Sequence, residues 1–514
     1  MRMEEFHRVS RFTHFPTRNL RTRVDALREI EAPCNRFTSI RTSEEKLRDF
    51  AAAHMLGVDS LSEESVVFTD GTPLNWKRLL TYLYESNVIA SPSFTPRFSH
   101  NGRPIIPSFE LTPQQGPELT DGRPVTYGGF GGSFSLDEAM SKAVGEVLER
   151  YFLSTHRRAP LHAASYRELL SEHAEVVDMD AIDYFLPWQR QTFPSLAWDT
   201  DSVFRWVEGY EYASGRQTFL PAQLVYWTYQ HGAQGDIPAE KTIFMQTTSG
   251  SAGHFTKDEA VLSALLEAIQ RDGFLLYWLN SLSPKVIDPS TTDDPDLKTL
   301  MEYLKPYGMD IYFVNTTSDL GIPTATCVVI DHNEPDGPVI SIGSSAGFDI
   351  KGTLIQSAIE AVVVNNYVAG NPRHVLPNDF RPFTLPNIGR SERLFSWKGA
   401  DMLERFRFFI DGEKERVGDF LSTKSQQSPQ AQLRFVLDRL SERGIGYEPY
   451  IFEVKSRVLR DLGYHVVRAI VPQLIPLYLS EFCAPLKSRR LRDAPSRLGY
   501  RSAEHYNPWP HPFP

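Results

Sequence analysis

A nineteen-residue segment of this chain occurs twice. GSFSLDEAMSKAVGEVLER at 132–150 aligns without a gap on GHFTKDEAVLSALLEAIQR at 253–271, with eight identities, where ordinary residue frequencies give about one. Two copies do not make a solenoid, but they demand the same local structure twice. Each copy opens with glycine and a capping-box pattern, Ser135 with Glu138 and Thr256 with Glu259, which predicts a helix start. Ala139 and Ala143 in one copy match Ala260 and Ala264 in the other, and such small residues permit close packing.

Late in each helix come paired polar groups at i, i+3, Glu146 with Glu149 and Glu267 with Gln270, each followed by an arginine, Arg150 or Arg271. Residues at that spacing share a face, as does Glu138 one stripe earlier. On one helix this pattern describes a solvated surface. Duplication, with Ala and Val on the remaining faces, also fits two helices converging on a hard cation such as Mg²⁺. The arginines would then meet phosphates, and the glycine-led helix starts would offer N–H groups to anions. A weaker echo follows Gly347: the cap Asp349, then Gln356 and Glu360.

With 514 residues the chain has roughly three domains' worth of length. It is 41% hydrophobic and 23% charged, with 54 basic and 64 acidic side chains and a net charge of −10. That composition excludes a disordered chain and disfavours a general nucleic-acid binder. Cys34, Cys327 and Cys483 lack the spacing of a zinc site or disulfide framework and read as plain thiols. The N-terminus lacks the apolar core of a signal peptide. Val466–Leu479, broken by Arg468, Gln473 and two prolines, is too short to span a bilayer. A cytoplasmic, bacterial protein is expected.

Residues 1–75 read as a mainly helical extension, and 76–514 as one large body. Strands and loops are expected over Tyr82–Pro124, a hairpin turning at Ser214-Gly215, a strand at PVISIGSS, a helix over Ala431–Arg443, and strands at IFEV and HVVRAIVP. Gly343-Ser344-Ser345-Ala346-Gly347 fits a hydrolase nucleophile elbow, with Asp411 and His465 as nominal partners. Asp349 caps the next helix four residues late for an elbow, so a small-residue turn is the plainer reading. There is no P-loop, Rossmann fingerprint or HExxH. The chain ends NPWPHPFP, with proline at every second position over 508–514. A terminus of this kind is disordered or a stiff polyproline strand with Trp509 and Phe513 as anchors. Docked in a cleft, it presents His511 and the Pro514 carboxylate as proton-transfer groups.

These residues resemble the YcaO family, specifically the azoline-forming cyclodehydratases of thiazole/oxazole-modified peptide pathways. The matching pieces are GEVLER (145–150), SGSAG…DEAVLSALLEAIQRD (249–272) and GSSAG…IQSAIEA (343–361), supported by LPAQLVYW (220–227), VVRAIVPQLIPL (466–477) and the proline-alternating tail. The resemblance spans about residues 80–514. It implies an α/β (α+β) body whose repeated helix/strand units form an ATP site without a P-loop. By position, Glu146, Glu149, Glu259 and Glu267 match acidic ATP and Mg²⁺ positions. Arg271 matches a phosphate-contacting arginine and Glu360 the acid of the last helix, and Arg150 joins them as an expected ATP-site residue. Gln270 stands where a second Glu is usual, Lys142 where a small hydroxyl residue is frequent, and Gln356 where an arginine is frequent. The implied reaction is ATP-dependent conversion of Cys, Ser or Thr in a precursor peptide to thiazoline or oxazoline. Backbone thioamidation and a non-catalytic peptide scaffold are the alternatives. The implied partners are the precursor peptide, a separate ThiF-like leader-binding protein and a flavin-dependent azoline dehydrogenase, in a hetero-oligomer around a homodimer, with no nucleic acid and no membrane.

Overall fold

The computed structural model describes residues 66–67, 73–74, 76–96, 103–114, 128–154, 161–229, 231–232, 239–335, 337–377, 380–384, 388–420 and 428–514. Most of the expected N-terminal extension lies outside these residues. Its described part, Val66–Val67 against Pro73–Leu74, is a two-stranded ladder. A helix over Trp76–Glu85 runs into the stretch expected to hold only strands and loops.

Three sheets, antiparallel but for one edge pair, carry the body. The smallest pairs Thr95–Pro96 with β1 (Ser108–Leu111), and β1 with β2 (Gly129–Gly132). β2 leads into α1 (Leu136–Ser154). A second sheet is ordered β3 (His162–Ser165), β4 (Val203–Glu211), β12 (Tyr450–Glu453), β13 (His465–Ile470), β6 (Ser251–His254), with β5 (Gln217–Pro221) also on β4. β6 feeds α2 (Lys257–Leu279). The third sheet is ordered β10 (Val339–Ala346), β9 (Thr324–Asp331), β8 (Met309–Asn315), β7 (Val286–Asp288), β11 (Lys414–Arg416). β10 feeds α3 (Ile350–Ala369). Only β7–β11 is parallel among these named pairs. The architecture is therefore α+β rather than wound α/β.

The local signals explain these elements. The β4–β5 hairpin turns through Gly215 at φ +70°, a left-handed conformation that glycine adopts at little cost. Asp349 caps α3 by accepting from Gly352 N–H, and Ser428 caps α4 (Pro429–Ser441) through Ala431 N–H. β10 runs through Ala346 before the chain reaches Asp349. Ser345 thus sits in a strand opposite Ala325, neither on a nucleophile elbow nor on the small-residue turn expected there. Among the described residues, no helix is long and apolar enough to cross a membrane. Cys327 and Cys483 are buried free thiols.

The repeat has three members in space, β2–α1, β6–α2 and β10–α3. Strand and helix lie so close that a Cβ at Gly131 would come 1.9 Å from the Ala139 carbonyl oxygen, and one at Gly343 2.4 Å from that of Ser357. Ala139, Ala143, Ala260 and Ala264 are fully buried at such contacts. Each helix also touches the strand of another unit: α1 on β6, α2 on β10, and α3 on β2. The units close into a ring.

Candidate functional site

In each unit a helix carboxylate turns back to its own strand or, in the second, to the residue just before it. Glu146 accepts from Phe130 N–H, Glu267 from Gly250 N–H at 3.0 Å, and Glu360 from Ser344 N–H at 2.8 Å. An unpaired backbone N–H in a packed interior is costly, so these bonds explain part of the acidic pattern structurally. One turn later the side chain reaches the next unit. Glu149 accepts from Gly253 N–H at 2.8 Å, and Gln270 donates through Nε2 to the Ser344 carbonyl. A carboxylate at 270 has no proton to give that carbonyl at neutral pH, which is the physical reason an amide suits the position.

The first junction gathers like charges. Burial, then the neighbouring Glu267 and Glu146 carboxylates, hold Glu149 well above the usual carboxylate range, against the opposing pull of Gly253 N–H and Arg150. Arg150 pairs with Glu146 at 2.5 Å, and Arg271 with Glu267 at 2.9 Å. Yet Arg271 keeps Nε and Nη1 buried without a hydrogen-bond partner, as Arg150 does its Nε. Orphaned guanidinium donors beside mutually repelling carboxylates suit an anion and a cation together.

Other residues singled out from sequence stand elsewhere on this frame. Glu259 lies two turns before Glu267, where Thr256 Oγ1 donates to it at 2.5 Å and His254 Nδ1 stands 2.9 Å away. In the first copy Glu138 accepts from Ser133 Oγ at 2.7 Å, and Ser133 is the repeat equivalent of His254. Gln356 accepts from Lys142 Nζ at 2.7 Å, so two residues that depart from the family pattern are partners. Among the described residues, no three His, Cys, Asp or Glu side chains enclose a metal ion by themselves. A metal here would complete its shell with other oxygens, as Mg²⁺ does with phosphates.

The tail is docked. Trp278 and Trp397 donate their indole N–H groups to the Trp509 and Pro510 carbonyls at 3.3 and 2.9 Å. Phe513 is fully buried, and the Arg271 guanidinium lies 4.2 Å from its ring centroid. Pro514 follows, partly exposed. His511 is fully buried, with Nδ1 accepting from Phe513 N–H at 3.2 Å and Nε2 at 2.7 Å from the Tyr478 carbonyl. Burial and the nearby Arg393 charge keep its imidazole neutral, well below the usual histidine range. Arg393 Nη1 also stands 2.9 Å from Nε2, so His511 anchors the tail with both ring nitrogens occupied.

Sequence reasoning missed Arg468. It is buried behind the second unit, donating to the Leu224 carbonyl and to Ser251 Oγ, each at 3.0 Å. Burial pushes it down to about 10, against the pull of Glu267. A lone cation inside the apolar strand HVVRAI was the signal.

The family model described as YcaO cyclodehydratase, ATP- and Mg²⁺-binding, matches residues 130–475. An uncharacterised protein of Methanothermobacter thermautotrophicus is 25% identical over 363 residues, 70% of this chain and 84% of its own. Among solved structures, a heterocyclase in complex with substrate and cofactor superposes with TM-score 0.66 at 18% identity, over 85% of this chain and 57% of that one. YcaO from Methanopyrus kandleri bound with AMPPCP and Mg²⁺ gives 0.51 at 16%, over 78% and 89%. The solved likenesses show the fold, and the chain spans little more than half of the first.

Proposed function

The chain belongs to the YcaO family, and on that premise we propose that it is an ATP-dependent peptide cyclodehydratase. Its substrate would be a Cys, Ser or Thr residue and the preceding backbone amide in a ribosomally made precursor, converted to thiazoline or oxazoline. The observation carrying this reading is Arg271: paired with Glu267, stacked on Phe513, and left with two buried N–H donors unused.

When bound, ATP supplies the phosphoryl group that makes the amide oxygen a leaving group, with Mg²⁺ neutralising charge. Glu146, Glu149 and Glu267 would hold the metal, and Arg271 and Arg150 the phosphate oxygens through charge-assisted bonds. Phe513 packs against the Arg271 guanidinium and would help hold those donors in position before the anion arrives. The Pro514 carboxylate, one residue beyond, would accept the proton lost by the attacking thiol or hydroxyl. His511 serves by holding that end in place. A separate leader-binding protein would deliver the precursor, and a flavin-dependent dehydrogenase would oxidise the azoline.

The test combines purified chain, partner and precursor with ATP. Loss of one water per ring, coupled to ATP turnover and abolished by Glu146→Gln, supports the reading. Intact peptide binding with no ATP binding and no mass change would overturn it in favour of a scaffold.

A further inference from the structure

Lys142 interrupts the acidic face of α1. It lies one turn before Glu146 and two before Glu149, on their side of the helix. Its ammonium sits 2.7 Å from Glu138 Oε1, 2.7 Å from Gln356 Oε1 of α3 and 3.4 Å from the Gly132 carbonyl. The bond to Gln356 ties the first unit to the third.

The ring gives this contact its meaning. Lys142 and Gln356 are equivalent positions, each four residues before the carboxylate that binds its own strand, Glu146 or Glu360; Ser263 is the second unit's counterpart. Equivalent side chains of a closed ring approach a common centre, and here the two that meet are a cation and a neutral amide. Glu138 pairs with the ammonium from its own helix, while Gln356 orients it from the facing one without adding charge, so the neutral hydrogen bond is the one exchanged for an anion at little cost. Lysine is a mobile point charge that can make that exchange.

We infer that Lys142 is a phosphate-binding residue of the nucleotide site, held ready by Gln356. This rests on the ATP reading above and adds to it a residue of this chain that the repeat does not supply elsewhere. The cation would engage the polyphosphate rather than the nucleoside.

Equilibrium binding to the full chain tests this, with ATP·Mg²⁺ and AMP compared by calorimetry. Lys142→Ala should weaken ATP·Mg²⁺ about tenfold, the usual loss for one charge-assisted phosphate contact, and leave AMP nearly unchanged. Adding Gln356→Arg, which puts a guanidinium where the ammonium sat, should recover most of the loss. Unchanged ATP binding, or equal losses for ATP and AMP, would overturn the proposal. If Lys142→Ala does not fold, Lys142→Gln, which keeps a hydrogen-bonding head without charge, is subject to the same comparison. Wild-type protein that fails to bind ATP·Mg²⁺ would overturn the underlying reading as well.

Discussion

Glu149 reaches out of its own repeat unit to accept the Gly253 N–H of the next at 2.8 Å, and burial, then the Glu267 and Glu146 carboxylates, raise its proton affinity there. The same side chain is thus an inter-unit tie and a member of a like-charged cluster. Glu149→Gln keeps an oxygen for Gly253 and removes one of the repelling charges. We expect the nucleotide-free protein to gain roughly 1 kcal/mol of stability, while the rise in Tm on adding ATP·Mg²⁺ disappears. Paired thermal melts check both signs, and loss of stability without nucleotide would contradict the assignment.

Gln270 should be intolerant of the residue its family pattern favours. Gln270→Glu places a carboxylate against the Ser344 carbonyl, where Nε2 now donates. The loss should be roughly 2–3 kcal/mol, read from urea unfolding, with no gain in ATP turnover. Improved turnover would show that the amide is a weakened metal ligand instead.

Phe513→Ala removes the surface on which Arg271 lies. Turnover should fall more than tenfold, since misaimed donors lose much of their effect on the developing charge. Deleting Pro514 alone leaves the stack but shifts the terminal carboxylate. It should lower ring formation while ATP·Mg²⁺ affinity stays near wild type. Full ring formation after removal of the last five residues would exclude any catalytic role for the tail.

The buried Glu481 carboxyl lies 4.0 Å from Arg393, and burial pushes it up to about 7, with Arg393 opposing. Its raised folded pKa means that its contribution is present below the ordinary carboxylate range and is lost as pH rises to about 7. His511 acts oppositely: held neutral by burial, it favours the folded state above the ordinary histidine range and loses that contribution as pH falls below about 6.5. Glu481→Gln should therefore stabilise the protein by roughly 1–3 kcal/mol at pH 8 and hardly at all at pH 4. Denaturant melts at the two pH values measure this, and an equal effect at both would refute it.

Local chemistry made much of this molecule readable. Asp349, Ser428 and the Ser214-Gly215 turn mark element boundaries by hydrogen bonds within a few residues. The paired acids of α1 and α2 were legible because a duplicated pattern is hard to reconcile with a plain solvated face. The third unit was fainter, since Gln356 and Glu360 keep only fragments of it. What could not be read was pairing between distant segments. Nothing adjacent to Lys142 announces Gln356, and nothing adjacent to Glu149 announces Gly253. Ser345 misled because glycine and serine serve a tightly packed strand as readily as a turn. His511 misled because the proline pattern marks a docked tail without telling which side chains face inward.

The ring also sets an order of events during synthesis. β6 is paired along β13, about two hundred residues later, and the Phe513 ring covers an arginine made long before it. Contacts of such separation form slowly. Until residues 465–513 emerge, the unpaired edge of β6 and the pocket for the tail stand open, so a nascent chain stalled in that interval would expose sticky surface and depend on chaperones.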